Sequence, residues 1–453
     1  MNIQLSEHFN YRKLGQFTLP TITMMIVTSL YSVIDGIFVS NVLGSEAFAS
    51  VNLIFPFPMM LGAVGFMIGT GGSALVSMTL GEGKERKANE YFSMLIAFVS
   101  VVGVILTVGG IAVIRPVSVL LGAEGELLEG CVVYGTVLML GLVPFILQGA
   151  FASFLVTAER PKLGLKISIA AGITNMALDY LFIYVFRWGL PGAAAATVIG
   201  QMVGGVIPLV FFFCKNGSPL RLVRFRFEWT PIVKSCVNGS SEMLTNLSMS
   251  LLNMLYNLQL MKLVGENGVS AYGIIMYVSF IFTGTYLGYS LGIAPVIGYH
   301  YGAANKKELQ SLLRKSLFLI ATVAIGLTAL SEVLAGGLAG IFVSYDAELM
   351  EMTTVAIQIY SLSYLISGFN IFGSAFFTAL NNGPVSALIS FVRTLFFQIV
   401  MILVLPALFG LNGVWFAVVA AEALTLVVTV VCFLVNRKNI SIFDDCFLRI
   451  RGV

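Results

Sequence analysis

Apolar runs of roughly 20 to 30 residues recur twelve times along this chain of 453 residues, and few folds can accommodate such a pattern. At a rise of about 1.5 Å per residue, each run as a helix crosses a hydrocarbon core of about 30 Å. They lie near 14–40, 51–80, 91–114, 130–157, 163–186, 190–214, 232–263, 270–300, 316–341, 350–380, 384–408 and 411–435. Hydrophobic residues make up 58% of the chain and charged residues 10%, whereas about a quarter of the residues of soluble domains are charged. The pattern predicts an all-α polytopic membrane protein with twelve transmembrane helices. The first run is longer than the apolar core of a signal peptide, and no cleavage site leading into a polar sequence follows it, so it is read as a span.

Orientation follows from the 25 lysines and arginines, because cytoplasmic loops accumulate positive charge. With the N-terminus inside, 21 of them are cytoplasmic, only Arg115, Arg187 and Lys262 fall in outer loops, and only Arg393 lies within a span. Both termini are therefore expected in the cytoplasm of a cell whose plasma membrane the chain crosses. The net charge of +3 expresses this topology and implies no nucleic-acid partner.

The chain also repeats itself. Gly44 and Gly265, Gly81 and Gly302, and Gly192 and Gly413 share an offset of 221, and Pro161 with Pro384 departs from it by two. "VLGSEAFAS" (42–50) aligns with "LVGENGVSA" (263–271), and "LGEGKERK" (80–87) with "YGAANKKE" (301–308). Two pseudo-symmetric six-helix bundles follow: residues 1–214, a basic linker at 215–231, and 232–453 with a short cytoplasmic tail. Six spans return the chain to its starting side, so the repeats are parallel about an axis along the membrane normal, with substrate expected between the lobes.

Polar residues inside the spans break the symmetry. An ionisable side chain at membrane depth costs roughly 2.5 to 3.5 kcal/mol on insertion scales, so each calls for a partner or a function. Asp35 lies near the outer end of the first span, and Asp179 lies at similar depth in the fifth. Asn175 is one turn before Asp179 on the same face, and Thr197 enters the sixth span to a matching depth. Their repeat partners, Tyr256, Val400 and Val418, carry no carboxylate. Two carboxyls in one dry layer cannot both ionise cheaply, so the layer is expected to hold a proton or a Na⁺. The simpler role for Asp35 is to end its helix near the interface.

The segments around these residues, "YSVIDGIFVSNVLG" (31–44), "TNMALDYLFIYVF" (174–186) and "GLPGAAAATVIGQ" (189–201), resemble those of multidrug and toxic compound extrusion (MATE) transporters, and the likeness covers nearly the whole chain. The resemblance implies a secondary antiporter that exports organic cations or drugs in exchange for H⁺ or Na⁺. It implies a cation site at Asp35, Asn175, Asp179 and Thr197 and a bend of the first helix at Pro20. It implies no cofactor beyond the coupling ion. Glu242 lies two turns nearer the cytoplasm than the acid used by a second branch of that family, so a cation site of that kind is not expected in the second lobe. A lipid-linked precursor flippase of the same superfamily, or a passive channel, is the alternative.

Arg393 and Glu422 in the second lobe are near mid-membrane and are read as a compensating buried pair, with substrate contact as the other role. Glu242 either meets a cationic substrate or faces a water-filled vestibule. Gln148, Gln201, Asn246, Asn253, Asn257, Gln259, Asn370 and Gln398 are intramembrane amides expected to face protein or water. Thirty-five phenylalanines and nineteen methionines suit an adaptable apolar cavity, although most must face lipid or pack helices. "GEGKERK" lacks the spacing of a phosphate loop, and the five scattered cysteines and two histidines form no metal motif. A non-enzymatic monomer in contact with membrane lipid is expected.

Overall fold

A computed structural model describes residues 3–43, 45–343 and 346–440. Gly44, one of the repeat glycines, and the tail beyond 440 with Cys446 lie outside the described residues. The helices are α1 (Tyr11–Leu43), α2 (Pro56–Gly81, entered through a short helix Ser45–Ile54), α3 (Glu85–Leu120), and α4 (Gly125–Leu140 with Leu142–Thr157). They continue as α5 (Pro161–Asp179, extended by a π-helical turn Tyr180–Val185), α6 (Leu190–Phe213), α7 (Trp229–Val264) and α8 (Glu266–Gly302). The last four are α9 (Lys306–Val343), α10 (Ala347–Ser361 with Tyr364–Ala379), α11 (Gly383–Phe391, a π-helical turn Val392–Phe396, then 397–409) and α12 (411–440). The architecture is all-α with twelve crossings, as the apolar runs predict.

Sequence chemistry sets the helix ends. Pro56, Pro161, Pro191 and Pro384 occupy the first turn of α2, α5, α6 and α11, where a missing N–H forfeits no intrahelical bond. Asp346 caps α10, its carboxylate accepting from the Leu349 amide at 3.1 Å. Several helices outrun their apolar cores. α3 and α9 begin at Glu85 and Lys306, well before the apolar runs at 91 and 316, because polar turns continue a helix beyond the hydrocarbon.

Two of the runs expected to be single spans are bent. α4 turns by 55° around Gly141 and α10 by 47° between Ser361 and Tyr364, and these sites are repeat partners. Left-handed backbone positions recur at that spacing or within one residue of it: Gly83 (φ 75°) with Ala304 (52°), and Glu159 (60°) with Asn381 (56°). Gly189 (φ 64°, ψ −142°) and Gly410 (φ 58°, ψ −137°) share a conformation open in practice only to glycine. Gly410 thereby separates α11 from α12 without an intervening loop. The backbone keeps the repeat even where the side chains have diverged.

The lobes meet most closely towards the face that carries the basic loops. A Cβ on Gly71 of α2 would lie 2.0 Å from the Ser235 carbonyl of α7, and one on Gly239 of α7 1.9 Å from that of Met67. The repeat-related Gly81 and Gly302 face each other, their absent Cβ positions 1.9 Å from the Tyr299 carbonyl and 2.0 Å from the Met78 carbonyl. Backbone packs on backbone there, which only glycine permits. The N-terminal segment closes over the same face. The Leu5 amide donates to Glu159 of the first lobe at 2.8 Å, the Phe9 amide to Glu308 of the second at 2.9 Å, and Leu5 and Phe9 are buried. Burial pushes the Glu159 carboxyl above the ordinary carboxylate range, opposed by the Leu5 amide.

Candidate functional site

The first-lobe layer is assembled by α1, α4, α5 and α6. α5 presents Asn175 and Asp179 one turn apart, both buried, and passes from α-helical to π-helical geometry immediately after Asp179. Such turns re-aim side chains and recur at functional positions. Gly200 brings α6 against α5, where an added Cβ would stand 3.0 Å from that of Asn175. Asp35, half-buried on α1 about two turns before Leu43, places its carboxyl against that of Asp179. Asn175 is also beside Asp179.

Tyr134, on the outer half of α4, completes the layer. It is 2% exposed, and its hydroxyl lies towards that of Thr197 and within the field of both aspartates. The Thr197 hydroxyl donates to the Ala193 carbonyl at 3.1 Å. Sequence reasoning missed this residue because a tyrosine in an apolar run reads as bulk. The available signal was a pair of hydroxyl side chains, Tyr134 and Thr136, in the outer half of the fourth span.

The hydrogen bonding of the layer is incomplete. Asp35 Oδ1, both carboxyl oxygens of Asp179, and both amide atoms of Asn175 are buried without a well-formed hydrogen bond. Buried polar atoms are paired in more than about nine cases in ten, so five together call for an explanation. Four of them are oxygens converging from two helices, a donor set suited to a proton or a hard cation such as Na⁺.

The structure sets Glu242, Arg393 and Glu422 apart from this layer. Arg393 Nε donates to Glu422 Oε1 at 2.9 Å, and Asn370 Nδ2 donates to Glu422 Oε2 at 2.7 Å. Arg393 and Glu422 line a cavity of about 240 Å³ walled mainly by the second lobe. Glu242 lines a smaller cavity of about 80 Å³ between the lobes, with Thr70, Gly149 and Ser290, and lies within the field of Arg393. Pro20 is buried in α1, which runs unbroken through it. Beside it, Ile22 packs on α8 where Gly288 leaves room. Among the described residues no group of three or more histidine, cysteine and acidic side chains is placed to hold a metal ion.

The MatE family model matches residues 20–181 and 243–404, two copies at the spacing of the internal repeat. The multidrug export protein MepA of Staphylococcus saprophyticus is 22% identical over 433 residues, covering 95% of this chain and 95% of the relative. MepA of Staphylococcus aureus is 21% identical over 436 residues with the same coverage. Among solved structures, one described as the outward-facing conformation of a multidrug resistance MATE family transporter of the MOP superfamily is 25% identical, with a TM-score of 0.88 over 94% of this chain and 95% of that one. A MATE structure in the straight conformation superposes with a TM-score of 0.87 at 23% identity, over 94% of this chain and 95% of that one. With both repeats matched and the fold shared from end to end, the chain belongs to the MatE family of MATE transporters.

Proposed function

We propose that this protein is a secondary antiporter that exports organic cations across the plasma membrane in exchange for H⁺ or Na⁺, with both termini cytoplasmic. The observation that carries the reading is the set of unpartnered oxygens of Asp35, Asn175 and Asp179 in one buried layer of the first lobe. Open acceptors at membrane depth are a standing cost that an entering cation removes, which makes the layer a reversible ion site. Thr197 supplies a further oxygen, with the Tyr134 hydroxyl beside it. The relatives named above for multidrug export support the substrate class.

In this reading the lobes, packed glycine to glycine at the basic-loop face, are closed to the cytoplasm. The ion enters from outside, fills the layer, and alters the packing of α1 on α5 and, through the Pro20 segment, on α8. Affinity for the bound organic cation falls and it leaves outwards. Reciprocity requires that substrate and ion each weaken the other's binding, and competition for the same negative charge provides that. The test is uptake of an organic cation into inverted vesicles under separately imposed H⁺ and Na⁺ gradients. Asp35→Asn and Asp179→Asn are each expected to abolish gradient-driven uptake in protein that still inserts. Full transport by either variant refutes the reading, and equilibration without concentration identifies a channel.

A further inference from the structure

The second-lobe cavity presents hydrogen-bond donors to its interior, although the ion pair beside it is neutral overall. Both oxygens of Glu422 are committed, to Arg393 Nε and to Asn370 Nδ2, and its side chain is 4% exposed against 16% for Arg393. The Nε bond uses one of the five N–H groups of the guanidinium. Among the described residues no acceptor is bonded to its terminal nitrogens, so although both residues line the cavity, the positive half of the pair is the more exposed and the half with hydrogen-bonding groups to offer it.

The amides reinforce this polarity. The Tyr256 hydroxyl donates to Gln398 Oε1 and the Tyr272 hydroxyl to Asn253 Oδ1, each at 3.0 Å. Each amide oxygen thereby has one of its two lone pairs filled by a tyrosine, while among the described residues its NH₂ has no bonded partner. The rings of Tyr256 and Tyr272 stack in parallel, 4.9 Å apart and 4° from coplanar, and join Tyr360 in a largely aromatic wall. A donor-rich pocket with a planar cationic fork and flat aromatic faces complements an oxyanion on a planar apolar body.

We propose that this cavity binds planar aromatic carboxylates, with the carboxylate on the terminal nitrogens of Arg393 and the ring against the tyrosines. This goes beyond the exchange reading and does not rest on it, since no residue of the first-lobe layer lines the cavity.

Equilibrium dialysis of the full chain in phosphatidylcholine nanodiscs, with 2-naphthoate and 2-naphthamide as probes and empty nanodiscs as blank, tests the assignment. The wild type is expected to bind the acid at least tenfold more tightly than the amide. In the double variant Arg393→Gln with Glu422→Gln that ratio falls to about one while the amide binds as before. Equal affinities in the wild type, or a ratio kept by the double variant, overturn the proposal. If the double variant does not fold, Gln398→Glu serves instead: it places a like charge against the acid, so loss of acid binding alone supports the site and retained acid binding overturns it. Repeating the dialysis in phosphatidylglycerol separates the other source of an oxyanion. Unchanged acid binding supports the free carboxylate, and its loss identifies a lipid headgroup as the occupant and overturns the proposal. No gradient is used, so failed transport and failed carboxylate recognition remain separate results.

Discussion

Asp179 and Glu422 are both buried carboxylates within helices of the same twofold scaffold, one in each lobe, yet their surroundings are opposite. Glu422 has Arg393 on one oxygen and Asn370 on the other, and Asn370 is itself held by the Thr429 hydroxyl at 3.0 Å. Asp179 faces a second carboxyl and an amide, and neither of its oxygens has a well-formed bond. A carboxylate whose acceptors are all filled by protein belongs to the frame. One whose acceptors are left open is available to something that comes and goes. Burial alone does not distinguish the two, because both residues are almost inaccessible.

The contrast is sharpest in folding stability. Glu422→Ala leaves Arg393 uncompensated, and breaking a buried pair from one side costs about 3 to 5 kcal/mol. A large fall in the thermal unfolding midpoint is expected, with most of it recovered when Arg393→Met is added. A small loss in the single variant would show that the pair is not structural and would remove one side of the comparison.

Next in size is the backbone. Gly189 and Gly410 hold the same unusual dihedrals, so Gly189→Ala and Gly410→Ala are each expected to cost about 1 to 3 kcal/mol, by similar amounts. Unequal losses under the same unfolding assay would mean that the two turns, alike in geometry, bear different loads. Smaller again is Tyr134→Phe. Removing a buried hydroxyl that lies beside Thr197 and the two aspartates is expected to cost about 0.5 to 1.5 kcal/mol and to weaken ion binding several-fold, measured by the ion-induced rise in the unfolding midpoint. No change in ion binding would place Tyr134 outside the layer.

Much of this organisation was legible in the residues. Charges in apolar runs are conspicuous, so Asp35, Asp179, Arg393 and Glu422 stood out, and helical spacing put Asn175 with Asp179. The repeat was visible in Gly81 and Gly302, but not that these two glycines would face each other across the lobe interface, since a spacing carries no direction. The bends at Gly141 and beyond Ser361 were hidden for the same reason: apolar length measures a crossing and not its path. Tyr134 and Asn370 were hidden differently. Their roles depend on which side chain of another helix they meet, and periodicity within one helix holds no such information. The offset of Gly189 to Gly410 was present in the sequence, but only the shared dihedrals show what it is for.

The smallest expected stability change is the most discriminating. Asp179→Asn keeps the shape of the side chain and removes a carboxyl whose oxygens have no well-formed bond in the layer. Where Glu422 loses stability on substitution, Asp179 is expected to lose none and to gain up to about 1 kcal/mol, because the variant no longer buries an uncompensated carboxyl. The measurement is thermal unfolding in one detergent with and without added Na⁺ and at two pH values. A ligand that binds only the folded state raises stability by about 1.4 kcal/mol for each tenfold excess over its dissociation constant. The wild-type midpoint should therefore rise with the coupling ion, and that of Asp179→Asn should not. If the variant instead unfolds as Glu422→Ala does, Asp179 belongs to the frame, its open oxygens do not mark an exchangeable site, and the distinction between the lobes fails.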